Sequence, residues 1–444
     1  MPCVSSAGVF VVNSFRVVAR SAWYSGRKLA KQPHKLIMVQ CSASHAQPQQ
    51  SLSVAVIGAG AAGLVAAREL VLEGHHVTVF EKGSGTGGVW VYTDEVEAPD
   101  LLGQDPERHK VHSSMYAQLR TNLPREVMAY TNFAFDDLAG QSKDSRRFPS
   151  HEEVLSGHYS APRCPEVKGA DVFPGQVMHS HNYRHNKTFK GQTVVLVGAS
   201  ASGEDICREI AEVADKVYLC ARSWQNPAWA TETVPFGHQH NIWRRPQPTS
   251  LAKDGSVTFS DGQRVEQVDS VMYCTGYLYT FPFLENIVST ADNRVAPVYR
   301  HIFPLSTAPT LSIIGLPWKV VPFPEFEVQA KWIARVLSQR VHLPSMDAMQ
   351  AEVQQFYADL ERQQVPARYT HQLGDKQWEY KDWIAEQCGP DVPKTEPWRR
   401  KMYEATGQNK REFPDRYRDV WRDDDLVLQA KQAASKHSQE LRAG

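Results

Sequence analysis

The sequence predicts an α/β fold built from two parallel-stranded units, and three observations carry that reading. VAVI (54–57) is a short apolar run that ends in a glycine-rich turn, GAGAAG at 58–63. TVVLV (193–197) ends in the same way at GASASG, 198–203. Each turn opens a helical pattern, and each pattern leads to a second apolar run, VTVF (77–80) and VYLCA (217–221). Strand, tight turn, helix and strand in that order make a βαβ unit, the start of a dinucleotide-binding, Rossmann-like domain.

The elements follow in order. The first helix is predicted over 62–73, with Leu64, Ala67 and Val71 on one face and Gly74 as its stop. The second is predicted over 202–213. SVTFSDGQRVEQVDSVMYCTGY at 256–277 reads as a hairpin-like pair, and LSIIG at 311–315 as a further buried strand. Phe326, Ala330, Ile333, Ala334 and Leu337 give one apolar helical stripe, and the chain beyond 346 reads as helical and Trp-rich.

Composition bounds the function. A chain of 444 residues, 42% hydrophobic, buries a large core and predicts about two domains. Lys+Arg and Asp+Glu both number 49, so no net field steers nucleic acid to the fold. Seven cysteines are scattered without a C-x-x-C pair, which argues against a redox dithiol or a zinc knuckle. No apolar run approaches the ~18 residues that span a bilayer, so no transmembrane anchor is expected.

The first fifty residues differ in kind. They carry Arg16, Arg20, Arg27, Lys28, Lys31 and Lys35, and the first acid of the chain is Glu69. Residues 1–50 are read as a targeting-type or disordered extension. MVQCSAS at 38–44 resembles a plastid processing site, so the transit-peptide reading gives plastid as the expected location, with mitochondrion or cytoplasm as alternatives.

The two turns differ in chemistry. Gly58, Gly60 and Gly63 allow the tight turn, the close approach of a pyrophosphate and the packing of helix on strand. The helix N-terminus adds unpaired N–H groups and the positive end of its dipole. Glu81 stands eighteen residues after Gly63, where a carboxylate accepts from ribose hydroxyls. In the second turn the spacing survives as Gly198, Ser200 and Gly203, with Ser202 opening the helix as a further candidate cofactor contact. Its second strand ends in Arg222 rather than an acid. A guanidinium forks onto a ribose phosphate that a carboxylate would repel. The first site therefore suits FAD and the second NADPH, so electrons pass between two cofactors in one chain.

Three further stretches narrow the reading. EKGSGTGGVW (81–90) places Gly87, Gly88 and Trp90 after the ribose acid, FPGQVMHSHNY (173–183) has the form F-x-G-x-x-x-H-x-x-x-Y, and YCTGYLYTFPFL (273–284) closes a strand. With these residues the chain resembles the flavin-containing monooxygenases, and is similar to the plant glucosinolate S-oxygenases, from about Ser51 to Ala430. Baeyer–Villiger relatives carry Trp-Pro where this chain has Tyr183 and Arg184, which argues against a ketone oxygenase. The neighbours Ser180, Asn182 and Arg184 supply no carboxylate or cysteine beside His179, His181 and His185, so no metal is expected there.

The resemblance implies an NADPH-dependent enzyme with FAD and NADPH as cofactors, Gly88 and Trp90 among the cofactor contacts, and Asn122 of RTNLPREVM beside the flavin ring as the catalytic residue. It implies transfer of one oxygen from dioxygen, through a flavin hydroperoxide, to the soft sulfur or nitrogen of a small thioether or amine. It places an FAD-binding domain at 51–172 and 286–345, an NADPH-binding domain at 173–285 and a helical region at 346–444.

The sequence departs from the resemblance at one place. SHEEVLSGHYSAP (150–162) opens with a capping box, Ser150 and Glu153, yet Ser156 and Gly157 stop the helix within two turns. Several dozen residues of the FAD domain are expected between Leu155 and Ser156 and are missing, so the first domain reads as truncated. The alternative is then a catalytically impaired NADP/FAD-binding protein, a sensor or interaction partner.

Overall fold

The structure, a computed structural model, describes residues 9–13, 50–83, 85–98, 100–105, 113–131, 133, 135, 144, 146–150 and 161–443. The expected processing stretch at 38–44 and the Leu155–Ser156 junction lie outside the described residues.

In chain order the elements are β1 (Val9–Asn13), β2 (Ser53–Ile57), α1 (Ala61–Leu72), β3 (His76–Phe80), the short α2 (Arg125–Met128), β4 (Gln176–His179), β5 (Thr193–Val197), α3 (Ala201–Ala211), β6 (Lys216–Cys220) and β7 (Ile242–Arg245). They continue with β8 (Pro248–Leu251), β9 (Val257–Phe259), β10 (Arg264–Val265), β11 (Ser270–Tyr273), β12 (Val298–Tyr299), β13 (Phe303–Pro304) and β14 (Leu311–Ile314). Five helices close the chain: α4 (Pro322–Leu337), α5 (Met346–Arg362), α6 (Gln377–Cys388), α7 (Pro397–Glu412) and α8 (Asp424–Ala443).

Two sheets carry the two turns. One has the order β4-β11-β5-β6-β7, with every pairing parallel. Its centre, β5, is buried on both faces. Val194 and Leu196 pack with Ile206 and Ile210 of α3, while Val195 and Val197 pack with Val257 and Phe259 of the β8–β10 meander. That double coverage is why β5 reads as an unbroken apolar run. The 256–277 stretch divides: β9 and β10 form the hairpin around Asp261 and Gly262, whereas β11 joins the parallel sheet.

The other sheet has the order β14-β1-β2-β3. β2 and β3 are parallel, as a βαβ unit requires. β1 comes from the arm at 1–50. It lies antiparallel to both neighbours, Val9 opposite Ile314 and Asn13 opposite Val54, so part of the arm is an inner strand. The alternation-free VFVVN has the branched, apolar character of a strand, a local signal outweighed in the sequence by the basic composition around it.

α1 ends as expected at Gly74, whose φ of 91° takes the left-handed turn. Gly74 N–H donates to Val71 O and His75 N–H to Leu70 O, both at 3.0 Å, closing the helix in a Schellman motif. α4 differs from its predicted single stripe: it is buried nearly all round, between α1 and α6. Most of its polar residues are paired, although Glu325 Oε2 is buried without a hydrogen-bond partner among the described residues. Lys331 Nζ donates to Glu327 Oε1 at 2.7 Å, and Arg335 forks onto Asp391, with both bonds at 2.7 Å. No helix among the described residues is long and apolar enough to cross a membrane.

Candidate functional site

The two turns are built alike. Gly58 N–H donates to Phe80 O at 2.7 Å, and Gly198 N–H donates to Cys220 O at 2.8 Å, so each turn is braced by the end of the neighbouring strand. A Cβ built on Gly63 would overlap the Gly58 carbonyl, 2.9 Å from its carbon, and one on Gly203 would meet the Gly198 carbonyl at the same distance. Only hydrogen fits where helix crosses strand, so both third glycines are steric requirements.

The helix starts differ in charge. α1 begins after Gly60 with no capping side chain and no acid in its first turn, which leaves the dipole end positive. α3 begins after Ser200 and carries Glu204 in its first turn, offset by Lys410 Nζ at 2.8 Å. Ser202 is exposed on that turn.

Glu81 is anchored by main-chain donors. Ala59 N–H reaches Oε2 at 2.7 Å and Gly83 N–H reaches Oε1 at 2.6 Å, which fixes the carboxylate beside the first turn. Gly87 N–H donates to Ala59 O at 3.0 Å, bringing Gly88 and Trp90 to the same turn. Trp90 is half-buried against the main core. Arg222 does not brace its own turn; its Nη2 donates to Tyr369 OH at 2.9 Å.

Asn122 lies in the loop before α2, half-buried, and makes no side-chain hydrogen bond among the described residues. The segment is held firmly around it. Thr121 N–H donates to Pro149 O at 2.9 Å, Leu123 and Val127 enter the core that contains Ala59 and Ala62, and Tyr130 OH donates to Ala61 O at 3.1 Å. The structure thus brings Asn122, the first turn and the start of α4 onto one packed core. Gly315, after β14, is tied to α4 because its N–H donates to Gln329 Oε1 at 2.8 Å.

Arg418 is the residue that local sequence signals did not reveal. Its Nε donates to Thr121 O at 2.9 Å and its Nη2 to Asp205 Oδ2 at 2.5 Å, joining the Asn122 loop to α3. Nothing in RYRD distinguishes this arginine from its neighbours, since its partners lie two hundred and more positions away.

The histidines of the F-x-G segment are structural. His179 Nε2 donates to Gly276 O at 3.1 Å while its Nδ1 accepts from His181 N–H at 3.0 Å. Burial pushes the His179 imidazole down to about 3, so it stays neutral. His181 sits between Glu97 at 2.8 Å and Ser114 at 2.6 Å. Arg184 ties this segment to the Thr93 and Glu95 carbonyls at 2.8 and 3.0 Å. No cluster of metal ligands occurs among the described residues. Burial keeps thiols among the described residues protonated, pushing Cys207 and Cys388 up to about 12 and Cys164 up to about 11. A cavity of about 50 Å³ lies beside α2, between Arg125, Tyr130, Trp398 and Arg399, and has room for water rather than for a substrate.

Comparison with known proteins agrees with this geometry. Residues 244–392 match the family described as Flavin-binding monooxygenase-like, and residues 52–288 match Pyridine nucleotide-disulphide oxidoreductase. The second match reflects the cofactor-binding fold, since the chain has no C-x-x-C pair. Flavin-containing monooxygenase FMO GS-OX-like 4 of Arabidopsis thaliana is 45% identical over 455 aligned positions, which cover 88% of this chain and 99% of that protein. The structure of S-allyl-L-cysteine S-oxygenase from Allium sativum superposes with a TM-score of 0.81 at 42% identity, covering 87% of this chain and 99% of that one. The Tmm of a Pelagibacter species superposes with a TM-score of 0.67 at 25% identity, over 84% and 93%. These families use FAD and NADPH, and with its two braced turns and their paired strands the chain belongs to the flavin-containing monooxygenases.

Proposed function

We propose that the chain is an NADPH-dependent S-oxygenase that adds one oxygen atom from dioxygen to the sulfur of a small thioether, with amines as the second substrate class. The observation that carries the reading is the pair of braced turns with opposite side chains at their strand ends, Glu81 at the first and Arg222 at the second. The similarity to a garlic S-allyl-L-cysteine S-oxygenase supports sulfur as the acceptor.

The residues fit both cofactors. Gly58, Gly60 and Gly63 with the open start of α1 would hold the FAD pyrophosphate, Glu81 its ribose, and Gly88 and Trp90 would flank it. Gly198, Ser200, Ser202 and Gly203 would hold the NADPH pyrophosphate, and Arg222 its 2′-phosphate. Bound FAD supplies the oxygen-activating redox chemistry and NADPH the hydride. The chain orients and shields. Asn122 offers an amide with no partner among the described residues to the flavin side of the core, and Arg418, bonded to the neighbouring Thr121 carbonyl, holds that loop in register with α3. Asn122→Ala leaves the packing intact, so NADPH oxidation should continue while sulfoxide yield falls and hydrogen peroxide rises. Unchanged coupling of NADPH to sulfoxide would remove Asn122 from the mechanism.

A second reading, a weakened flavin binder, is favoured by two observations. The inner strand β1 is antiparallel in a sheet whose other strands run parallel. In addition, 88% of 444 residues is about 391, whereas the alignment with the Arabidopsis relative runs 455 positions, so about 64 positions have no residue of this chain. We place that gap between Leu155 and Ser156, and propose the plastid as the location on the composition of the arm; processing within 38–44 would then remove β1 from its sheet. The experiment is one measurement series on the purified full chain: flavin absorbance, then NADPH oxidation and sulfoxide formation with S-allyl-L-cysteine as probe. Sulfoxide in step with NADPH supports the S-oxygenase; NADPH binding without flavin or oxygen uptake supports the second reading.

A further inference from the structure

We propose that Arg368 and Tyr369, from the helical C-terminal region, complete with Arg222 the pocket that reads the 2′-phosphate of NADPH. The inference rests on the second turn being the NADPH site. In a βαβ dinucleotide unit the adenosine ribose lies at the end of the second strand, beside the turn. Here the Gly198–Cys220 hydrogen bond sets the end of β6 against the turn, and Arg222 emerges two residues later, exposed.

Two guanidinia converge there on one phenol. Arg222 Nη2 donates to Tyr369 OH at 2.9 Å, and Arg368 Cζ stands 5.0 Å from the Tyr369 ring centre. Neither arginine has a carboxylate partner among the described residues, and Arg368 Nε is buried without a hydrogen-bond partner. Like charges gathered without a counter-ion are unfavourable unless an anion joins them. Burial raises the Tyr369 phenol, but the Arg368 hydrogen bond and the Arg222 charge outweigh it and the net shift is downward, so the locus favours negative oxygen. A phosphate offers three such oxygens to two planar forks.

The phenol is held in place for this role. Thr370 Oγ1 donates to Ala367 O at 2.7 Å, Trp318 N–H donates to His371 O at 2.9 Å, and Leu373 N–H returns to Trp318 O at 3.1 Å. The Trp318 and Tyr369 rings lie 5.9 Å apart. A ribose with a free 2′-hydroxyl leaves both guanidinia facing only the phenol, so NADH is disfavoured. Arg368 and Tyr369 are thereby specificity-determining residues, reached from about 150 positions along the chain.

Calorimetric titration of the full chain with 2′,5′-ADP and with 5′-AMP tests this without requiring turnover. Arg368→Gln should weaken 2′,5′-ADP about tenfold, as loss of one charged hydrogen bond does. Tyr369→Phe should weaken it about threefold, and Arg222→Gln by about tenfold or more. Binding of 5′-AMP should stay at the parent value in all three, which also reports that each variant is folded. If Arg222→Gln loses the preference while Arg368→Gln and Tyr369→Phe keep it, the inference is overturned and the NADPH reading of the turn stands. If the parent itself does not prefer 2′,5′-ADP, both fall together.

Discussion

Arg418 bonds Asp205 with Nη2 at 2.5 Å and Nη1 at 3.3 Å, and the same guanidinium holds Thr121 O at 2.9 Å. Both side chains are largely buried, 17% and 16% exposed. One cation therefore sets the spacing between the Asn122 loop and the helix of the second turn. Arg418→Met leaves Asp205 without its partner and should cost about 3 kcal/mol, the lower end for an orphaned buried charge. Urea unfolding measures it. The Arg418→Met/Asp205→Asn double variant should recover part of that loss, and no recovery would show that the pair is not coupled.

Gly63 and Gly203 allow each turn to be tested by itself. Alanine at either position drives a methyl into a main-chain carbonyl that cannot yield, and overpacking of this kind costs about 1–3 kcal/mol. Gly63→Ala should release flavin while retaining 2′,5′-ADP binding. Gly203→Ala should do the reverse. Loss of both ligands in either variant would mean that the turns do not act separately.

The histidine pair His301 and His371 gives a pH dependence of defined sign. Val295 N–H donates to His371 Nε2 at 3.0 Å, so the His371 proton sits on Nδ1 and points to His301 Nδ1 at 2.9 Å. Burial holds His301 down at about 4 and His371 well below its ordinary value. Both folded values lie below the unfolded value near 6.5, so the unfolded chain takes up protons first as pH falls. Their contribution is intact above about pH 6.5 and declines from there toward about pH 4, at up to about 1.4 kcal/mol per pH unit for each histidine. Glu209, which burial raises to about 7, works in the opposite sense, so the comparison is with a variant. His301→Gln keeps an acceptor for His371 and should make the slope between pH 6 and pH 5 shallower by about 1 kcal/mol per unit. Parallel slopes in urea unfolding would count against a neutral pair.

Removing residues 1–49 tests β1. Without it β2 and β14 lose their main-chain partners on one side each, and buried unpaired N–H and C=O groups are unfavourable. The truncated chain should melt about 5 °C lower or more and lose flavin absorbance. The second sheet has no strand from the arm, so 2′,5′-ADP binding should persist. An unchanged melting temperature would show that β1 contributes nothing.

Much of this architecture was legible because its determinants are local. β5 spans 193–197 as the apolar run indicates, and α1 is displaced by one residue because Gly60 rather than Ala61 caps it. Gly74 closes α1 because its left-handed φ lets the Schellman hydrogen bonds form, a local property of glycine. What was not legible depends on distant partners. α4 starts at Pro322, four residues before its apolar stripe, because the ring suits the first helical position, and its polar side is buried against α6 and the Asp391 loop. Tyr369 reaches Arg222, and Arg418 reaches Thr121, only through the tertiary fold. VFVVN carried a strand signal, but no local rule says which sheet a strand enters.

The placement of that strand also sets an order of events in time. Val9 pairs with Ile314, 305 positions later, so the β14-β1-β2-β3 sheet cannot close until three hundred further residues have been translated. The five-stranded parallel sheet is complete between 176 and 273 and can collapse on itself meanwhile. During synthesis the apolar VFVVN must therefore wait without its final neighbours, exposed to chaperones and to misassociation with other nascent chains.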